Sequence, residues 1–316
     1  MSDLLPRLSA GVLLPPRQLA VLVRTAPFRY KEFQIPKRKA GEFRTIAQPA
    51  REVKALQYWV LRDVLANFKV HNAAMAYRKG RSILHNAKPH AGSRFLLKMD
   101  FRDFFPSFKA DDLRAFLKRQ KTKISEEDVT ALCQILFWMP KASVAPELCL
   151  SIGAPTSPAL SNILMFDFDL HISTVAKANR VKYTRYADDL TFSAMHSESL
   201  SVVESAVHEW CAKVHSPKLA VHQGKTVRVS RAKSRRVTGL VLTNDRKVSL
   251  GRDVKRLVRA QVHHFLTGQM PVAERSSLRG MLHYVNSVEP AFLDRLRLFY
   301  GTDAIDSVMD FTVSDN

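Results

Sequence analysis

Apolar residues along this chain switch between helical and strand spacing, and the switches mark out its elements. Leu56, Trp59, Val60 and Leu65 fall close to helical steps and predict an amphipathic helix over 53–68. Before it, residues 36–51 hold two short strand-like runs about a basic turn with Gly41, a predicted hairpin. Residues 1–27 read as a leader with one short helix near 17–24. A buried strand is expected over 94–99, ending on Asp100, and an N-capped helix over 111–119. Residues 153–170 have the pattern of a polar loop feeding a buried helix, and 182–194 alternate as a hairpin whose tip is Ala187-Asp188-Asp189. A helix over 202–214 and a strand over 236–242 come next. Beyond Gly251, basic residues at helical steps predict one helix, and a second runs from Ser277 to about Val288. The chain shows no internal repeat and no low-complexity tract.

Composition narrows the class. At 316 residues with 46% hydrophobic and 25% charged, this is a folded chain with room for one large domain or two to three packed subdomains. Its 49 Lys and Arg against 29 Asp and Glu leave a formal +20, which favours polyanions through counterion release and makes nucleic acid the leading partner. Cys133, Cys149 and Cys211 form no CxxC pair and have no His at zinc-ligand spacing, so reduced thiols are expected. Asp3, Arg7 and Arg17 interrupt the first 25 residues, unlike a signal peptide, and no apolar run is long enough to span a bilayer. The expectation is a cytoplasmic protein without a membrane partner.

The candidate chemistry lies in three acids. Phosphoryl transfer from a nucleoside triphosphate uses two magnesium ions about 3.5 to 4 Å apart, one for the attacking hydroxyl and one for the leaving pyrophosphate. Magnesium takes carboxylate oxygen. One Asp at a strand end and an Asp pair at a neighbouring hairpin tip supply those oxygens compactly, and Asp100, Asp188 and Asp189 are spaced for that. An Asp-Asp pair at a turn is by itself more often turn chemistry, but the flanks Tyr183-Thr184-Arg185 and Leu190-Thr191-Phe192 are strand formers that drive both carboxylates to an apex.

Tyr186-Ala187-Asp188-Asp189 resembles the hallmark box of reverse transcriptases, and Asp100-Phe101-Arg102-Asp103-Phe104-Phe105 looks like the family's first catalytic box. The resemblance implies a right-hand polymerase of α+β class: fingers and a palm with an antiparallel sheet over 28–250, and a helical thumb over 251–316. It implies two Mg2+ bridged by Asp100 and Asp188, with Asp189 assisting and the Phe101 carbonyl completing one shell. Phe105 falls at the sugar-gate position, where a ring would exclude a ribose 2′-hydroxyl, with core filler as the lesser reading. Gly153-Ala154-Pro155-Thr156-Ser157-Pro158 is similar to the box that positions template and nucleotide, with Ile152 where the family carries Gln. Arg44 stands at the triphosphate-binding arginine's position, with Lys37 in the adjacent basic run that also reads as a solvated face. Lys225 resembles the lysine that protonates pyrophosphate, and is otherwise a surface lysine.

Two further strings resemble retron reverse transcriptases: Asn86-Ala87-Lys88-Pro89-His90, the Asn-Ala-x-x-His signature, and Val237-Thr238-Gly239. That resemblance implies a cognate structured non-coding RNA as template and primer and priming from the 2′-hydroxyl of an internal guanosine. Its product would be a branched RNA-DNA hybrid (msDNA) made from deoxynucleoside triphosphates, in an antiphage system with a possible accessory effector protein. Asn86, His90, Val237, Thr238 and Gly239 would belong to RNA recognition, with Arg235 and Arg236 on phosphate and Arg252, Lys255, Arg256 and Arg259 gripping RNA from the thumb. The rivals are another bacterial, group II intron-like reverse transcriptase, and a non-catalytic RNA-binding protein that keeps the fold.

Overall fold

The computed structural model of this chain describes residues 3–36, 41–120, 124–141 and 147–310. Its elements run α1 (Leu4–Val12), α2 (Pro16–Thr25), β1 (Tyr30–Pro36), β2 (Phe43–Pro49), α3 (Arg51–Asp63), α4 (Ile83–Ala87), β3 (Phe95–Asp100), α5 (Phe104–Ser107), α6 (Ala110–Arg119) and α7 (Glu126–Leu136). Then follow α8 (Ser157–Leu164), α9 (Phe166–Ala178), β4 (Lys182–Tyr186), β5 (Asp189–Ala194), α10 (Ser197–Lys213), β6 (Val227–Ser230), β7 (Arg235–Val237), β8 (Leu240–Leu242) and β9 (Val248–Ser249). Four helices close the chain: α11 (Arg252–Leu266), α12 (Val272–Val288), α13 (Pro290–Tyr300) and α14 (Thr302–Met309).

These elements divide into two compact units. The first holds Met1–Gly80, Leu97–Phe192 and Ser197–Val227, and the second holds Arg81–Leu96, Ser193–His196 and Arg228–Asn316. Strands β4, β5, β3 and β6 form one sheet in that order, and β3, β5 and β6 each hold residues of both units.

In the first unit the leader carries two helices where one was expected. Leu4, Leu8, Leu19, Leu22 and Val23 are buried, so α1 and α2 pack into the unit rather than trail from it. The first hairpin begins earlier than its predicted bounds, at Tyr30 opposite Pro49, and ends with Pro36 opposite Phe43. Lys37 lies in the connection, outside the described residues. Helix α6 starts at Ala110, and its first turn is closed by Asp112, whose carboxylate accepts from the Lys109 amide at 2.7 Å; Asp111 is not its cap. Behind the β3 end, Phe101, Phe104 and Phe108 are buried, with Phe101 stacked on Phe104 at 5.9 Å and edge-on to Phe168 at 5.4 Å. This aromatic floor fixes where the strand stops.

The second unit is built on one apolar cluster. Val258 and Val262 of α11, Leu278, Leu282 and Val285 of α12, and Phe292, Leu293 and Leu296 of α13 recur at helical steps and are buried together with Val237, Leu240 and Leu242. The strand expected over 236–242 is instead a hairpin, with Arg235 opposite Leu242 and Val237 opposite Leu240. Thr238 and Gly239 are both left-handed, φ 45° and 85°, the geometry of a two-residue hairpin turn in which glycine costs least.

Candidate active site

Strand β3 delivers Asp100 to its end, and the backbone on each side holds it there. The Phe101 amide donates to the Asp188 carbonyl at 3.2 Å, while the His222 amide donates to the Asp100 carbonyl at 2.7 Å and the Arg102 amide to that of Ala220 at 2.8 Å. The first of these bonds ties the lone acid to the tandem pair. Between β4 and β5 only Ala187 and Asp188 turn, and so tight a connection sets the two strands antiparallel. Ala187 takes φ 58°, a left-handed conformation that costs an alanine roughly 1 to 2 kcal/mol and lifts Asp188 and Asp189 to the tip.

The electrostatics of the trio are those of carboxylates held together with too little positive charge. Burial, then Asp188 and Asp100, push Asp189 up to about 6. Asp188 is also raised, first by burial and then by Asp100, against the lowering effects of its own backbone amide, Lys225 and Arg44. The short 3-10 turn Gln223–Lys225 brings Lys225 Nζ to 2.8 Å from Asp100 Oδ1, and that hydrogen bond is the largest cause of the raised lysine pKa. Among the described residues no three His, Cys, Asp or Glu side chains close into a ready-made metal centre. The donor set nonetheless fits a hard divalent cation: oxygen ligands, and negative charge crowded enough that burial and the neighbouring acids raise Asp188 and Asp189.

Arg44 on β2 is exposed, and its charge reaches both Asp188 and the Tyr77 hydroxyl. Phe105 is half-buried, 5.5 Å from Phe104 and 6.3 Å from Tyr77, so the gate candidate leans on the core through one ring and meets the other from the open side. Gly153 has φ 131°, and a Cβ there would sit 2.8 Å from the Ala47 carbonyl oxygen. The missing side chain thus lets the loop dock on β2, where the Ala47 amide donates to the Ile152 carbonyl at 2.9 Å, and the Ala154 amide is held by Ser151 Oγ at 3.1 Å.

Sequence reasoning missed a buried network beneath the turn. Arg185 and Asp169 are both 0% exposed, joined from Nε to Oδ1 at 2.9 Å and from Nη2 to Oδ2 at 2.6 Å. Arg185 Nη1 also donates to the Ala187 carbonyl and to Asn162 Oδ1, each at 3.0 Å, and Asn162 Nδ2 donates to the Ala76 carbonyl at 2.9 Å. One guanidinium therefore braces the left-handed turn under Asp188 and, through Asn162, the segment that carries Tyr77. Burial alone would lower the Arg185 pKa, but the charge and hydrogen bonds of Asp169 raise it. Tyr77 was also missed: it is left-handed at φ 59°, 51% exposed, and faces Phe105. Nothing in its local sequence signals this.

In the second unit the two short strings meet. Asn86 Nδ2 is 3.5 Å from Thr238 Oγ1, which donates to the Ile83 carbonyl at 3.3 Å and so secures the hairpin turn. Asn86, His90, Val237 and Arg235 are buried, which corrects the expectation that they touch RNA directly. His90 Nδ1 shares a 2.7 Å hydrogen bond with Ser193 Oγ. Arg235 donates to the carbonyls of Ser93, Leu242 and Thr243, so its guanidinium is committed to the protein and not to phosphate. Lys255 is committed too, 2.6 Å from Glu289. Arg236, Gly239, Arg252, Arg256 and Arg259 are exposed, with Arg236 3.5 Å from Asp253.

The family described as reverse transcriptase (RNA-dependent DNA polymerase) matches residues 35–242. The chain is 39% identical over 293 residues to the retron Ec83 reverse transcriptase of Escherichia coli, covering 92% of this chain and 94% of that protein. It is 33% identical over 296 residues to the retron Ec86 reverse transcriptase of Escherichia coli, covering 91% and 87%. It is 36% identical over 291 residues to the retron Mx162 reverse transcriptase of Myxococcus xanthus, covering 83% and 58%. Among solved structures, telomerase from Candida albicans in complex with a TWJ fragment of telomeric RNA superposes with a TM-score of 0.50 at 14% identity, covering 89% of this chain and 59% of that one. At that identity the likeness speaks for the polymerase fold alone.

Proposed function

This chain belongs to the reverse transcriptase family and, within it, to the retron reverse transcriptases, RNA-directed DNA polymerases; from that premise we propose that it copies part of a cognate structured RNA into DNA that stays joined to that RNA. The observation that carries this reading is the bond between the Asp100 strand end and the Asp188 turn, with the raised pKa of both tip carboxylates. Asp100, Asp188 and Asp189, with the Phe101 carbonyl, would hold two Mg2+. When bound, the ions supply activation of the attacking hydroxyl and neutralisation of the leaving pyrophosphate. Arg44, with Lys37 from the adjoining basic run, receives the triphosphate as a guanidinium fork suits phosphate oxygens. Lys225, released from Asp100, holds a proton within reach of the leaving group. Phe105 packs against the sugar and favours deoxynucleotides, while the loop at Gly153 and Ala154 positions the base.

The RNA serves as both template and primer, synthesis starting from the 2′-hydroxyl of an internal guanosine and yielding branched msDNA. In the second unit, which includes the helices expected to form a thumb, Arg236, Thr238, Gly239, Arg252, Arg256 and Arg259 meet the RNA, braced from behind by Asn86, His90, Arg235, Val237 and Lys255. We place the protein in the bacterial cytoplasm, in an antiphage module that includes an effector protein. The test is a priming assay with deoxynucleotides and a self-folded RNA from the flanking locus. DNA resistant to separation from RNA is expected, and it should vanish in the Asp188→Ala/Asp189→Ala double variant while RNA binding persists. Synthesis that requires a free 3′ end would point to a group II intron-like enzyme, and binding without synthesis to a non-catalytic RNA-binding protein.

A further inference from the structure

The second unit carries a pocket of which the polymerase reading uses Arg259 alone. Arg259 of α11 and Arg295, Leu296, Leu298, Phe299 and Tyr300 of α13 line a cavity of about 560 Å3. At its mouth Leu298 is 88% and Phe299 79% exposed, two large apolar side chains side by side on one helix. Apolar surface of this kind usually marks a contact. Phe299 and Tyr300 stand edge to face at 4.7 Å, and the Tyr300 hydroxyl donates to the Arg259 carbonyl at 3.4 Å, which ties the aromatic pair to α11. The guanidiniums of Arg259 and Arg295 lie 5.4 and 5.8 Å from the Phe292 ring centre. Arg295 also reaches Glu289 at 3.5 Å, but that carboxylate is already bound by Lys255 at 2.6 Å.

An exposed ring beside apolar side chains and two guanidiniums matches one chemical shape: an unpaired nucleobase with its flanking phosphates. A duplex hides its base faces and would leave Phe299 without a partner. A protein partner would have to bring acids to both arginines as well as an apolar face, while the neighbouring Arg252 and Arg256 of α11 add the charge that favours a polyanion. We propose that this pocket takes an unpaired base of single-stranded RNA, with Phe299 as the stacking face and Arg259 and Arg295 on the phosphates. The proposal rests on the reading of this unit as RNA-holding, and adds that part of what it holds is single-stranded.

The experiment is fluorescence anisotropy of the full chain, without nucleotides, on a ten-residue oligoadenylate and on a blunt RNA duplex. Phe299→Ala should weaken oligoadenylate binding by about tenfold, the scale of one stacked base, and change duplex binding less than about twofold. Phe299→Trp should retain the oligoadenylate affinity, and Phe299→Leu should not. Because Phe299 is exposed, its removal opens no core cavity, and an unchanged thermal midpoint checks this. Equal losses on both RNAs, or none, would overturn the proposal. So would intact RNA binding with a shift in sedimentation, which would make the patch a contact between copies of the chain. The readout involves no turnover, so its failure leaves the polymerase reading standing, and an inactive polymerase would leave the pocket's binding result standing.

Discussion

Two partly buried carboxylates in this molecule are shifted in opposite directions. Asp189, in the first unit, is pushed up to about 6, because burial and two neighbouring acids outweigh Lys98 and Lys225. Glu289, in the second, is held below its ordinary value: burial would raise it, but Lys255, the Leu250 amide and Ser249 all bond to it and prevail. At the second site the carboxylate charge is balanced within the protein, and at the first it exceeds what the neighbouring lysines offset. That difference is the one expected between a carboxylate used for folding and one kept for chemistry, the role proposed for Asp189.

The largest effect tests the first half of this contrast. Asp188→Asn should lower primer extension on a poly(rA)/oligo(dT) duplex by at least about a thousandfold, as expected when charge stabilisation at the reacting phosphate is removed. Activity within tenfold of the parent would show that Asp188 holds no cation needed by the reaction.

Next comes the support under the turn. Arg185→Met leaves Asp169 buried without its partner and should cost about 3 to 5 kcal/mol in denaturant unfolding. Arg185→Lys keeps the charge but not the fork that joins Asp169, Asn162 and Ala187, so it should restore part of the stability while requiring more Mg2+ for half-maximal synthesis. A fully restored metal requirement would reduce Arg185 to packing.

The pH dependence should have opposite signs at the two sites. Asp189 keeps its proton to a higher pH in the folded than in the unfolded chain, so without divalent cation its contribution to stability falls as pH rises towards about 6. Mg2+ should cancel that fall, and Asp189→Asn should abolish it. Glu289 behaves in reverse: its contribution is present above the unfolded value and is lost as pH falls through the lower folded one. Thermal midpoints across pH 3 to 7, with and without Mg2+, read both, and an Asp189 effect insensitive to Mg2+ would erase the contrast.

Two smaller effects complete the series. Glu289→Gln should destabilise the protein by about 1 to 2 kcal/mol, since Lys255 then loses its ion pair at a half-buried site. Arg256→Ala, on the exposed side of α11, should leave the thermal midpoint unchanged and reduce the slope of log affinity for RNA against log salt by about one. An unchanged slope would remove Arg256 from the RNA contact.

The parts that local pattern governs were legible before any coordinates. Helical spacing in α3, α10 and α12 and strand formers around Asp188 and Asp189 need only short-range rules, and the observed elements follow them, with α10 and α12 starting five residues earlier than expected and α3 ending five residues earlier. The hairpin at Thr238-Gly239 was hidden because three-residue strands give too few alternations to distinguish two strands from one. Arg235 and Lys255 looked like free cations because charge is visible in a sequence and burial is not. Arg185 looked like a strand flank, and its partners Asp169 and Asn162 lie 16 and 23 residues away in chain order.

The amino-acid order alone determined that this chain carries three acids spaced for metal chemistry, a strongly basic surplus and the motif strings of its family, since these are properties of residue identity and short spacing. Tertiary structure decided which cations are spent inside the protein, which remain exposed, and that one buried guanidinium underpins the turn at Ala187 and Asp188. The reason is that desolvation and charge pairing depend on distances between segments remote in sequence, and no local rule sets those distances.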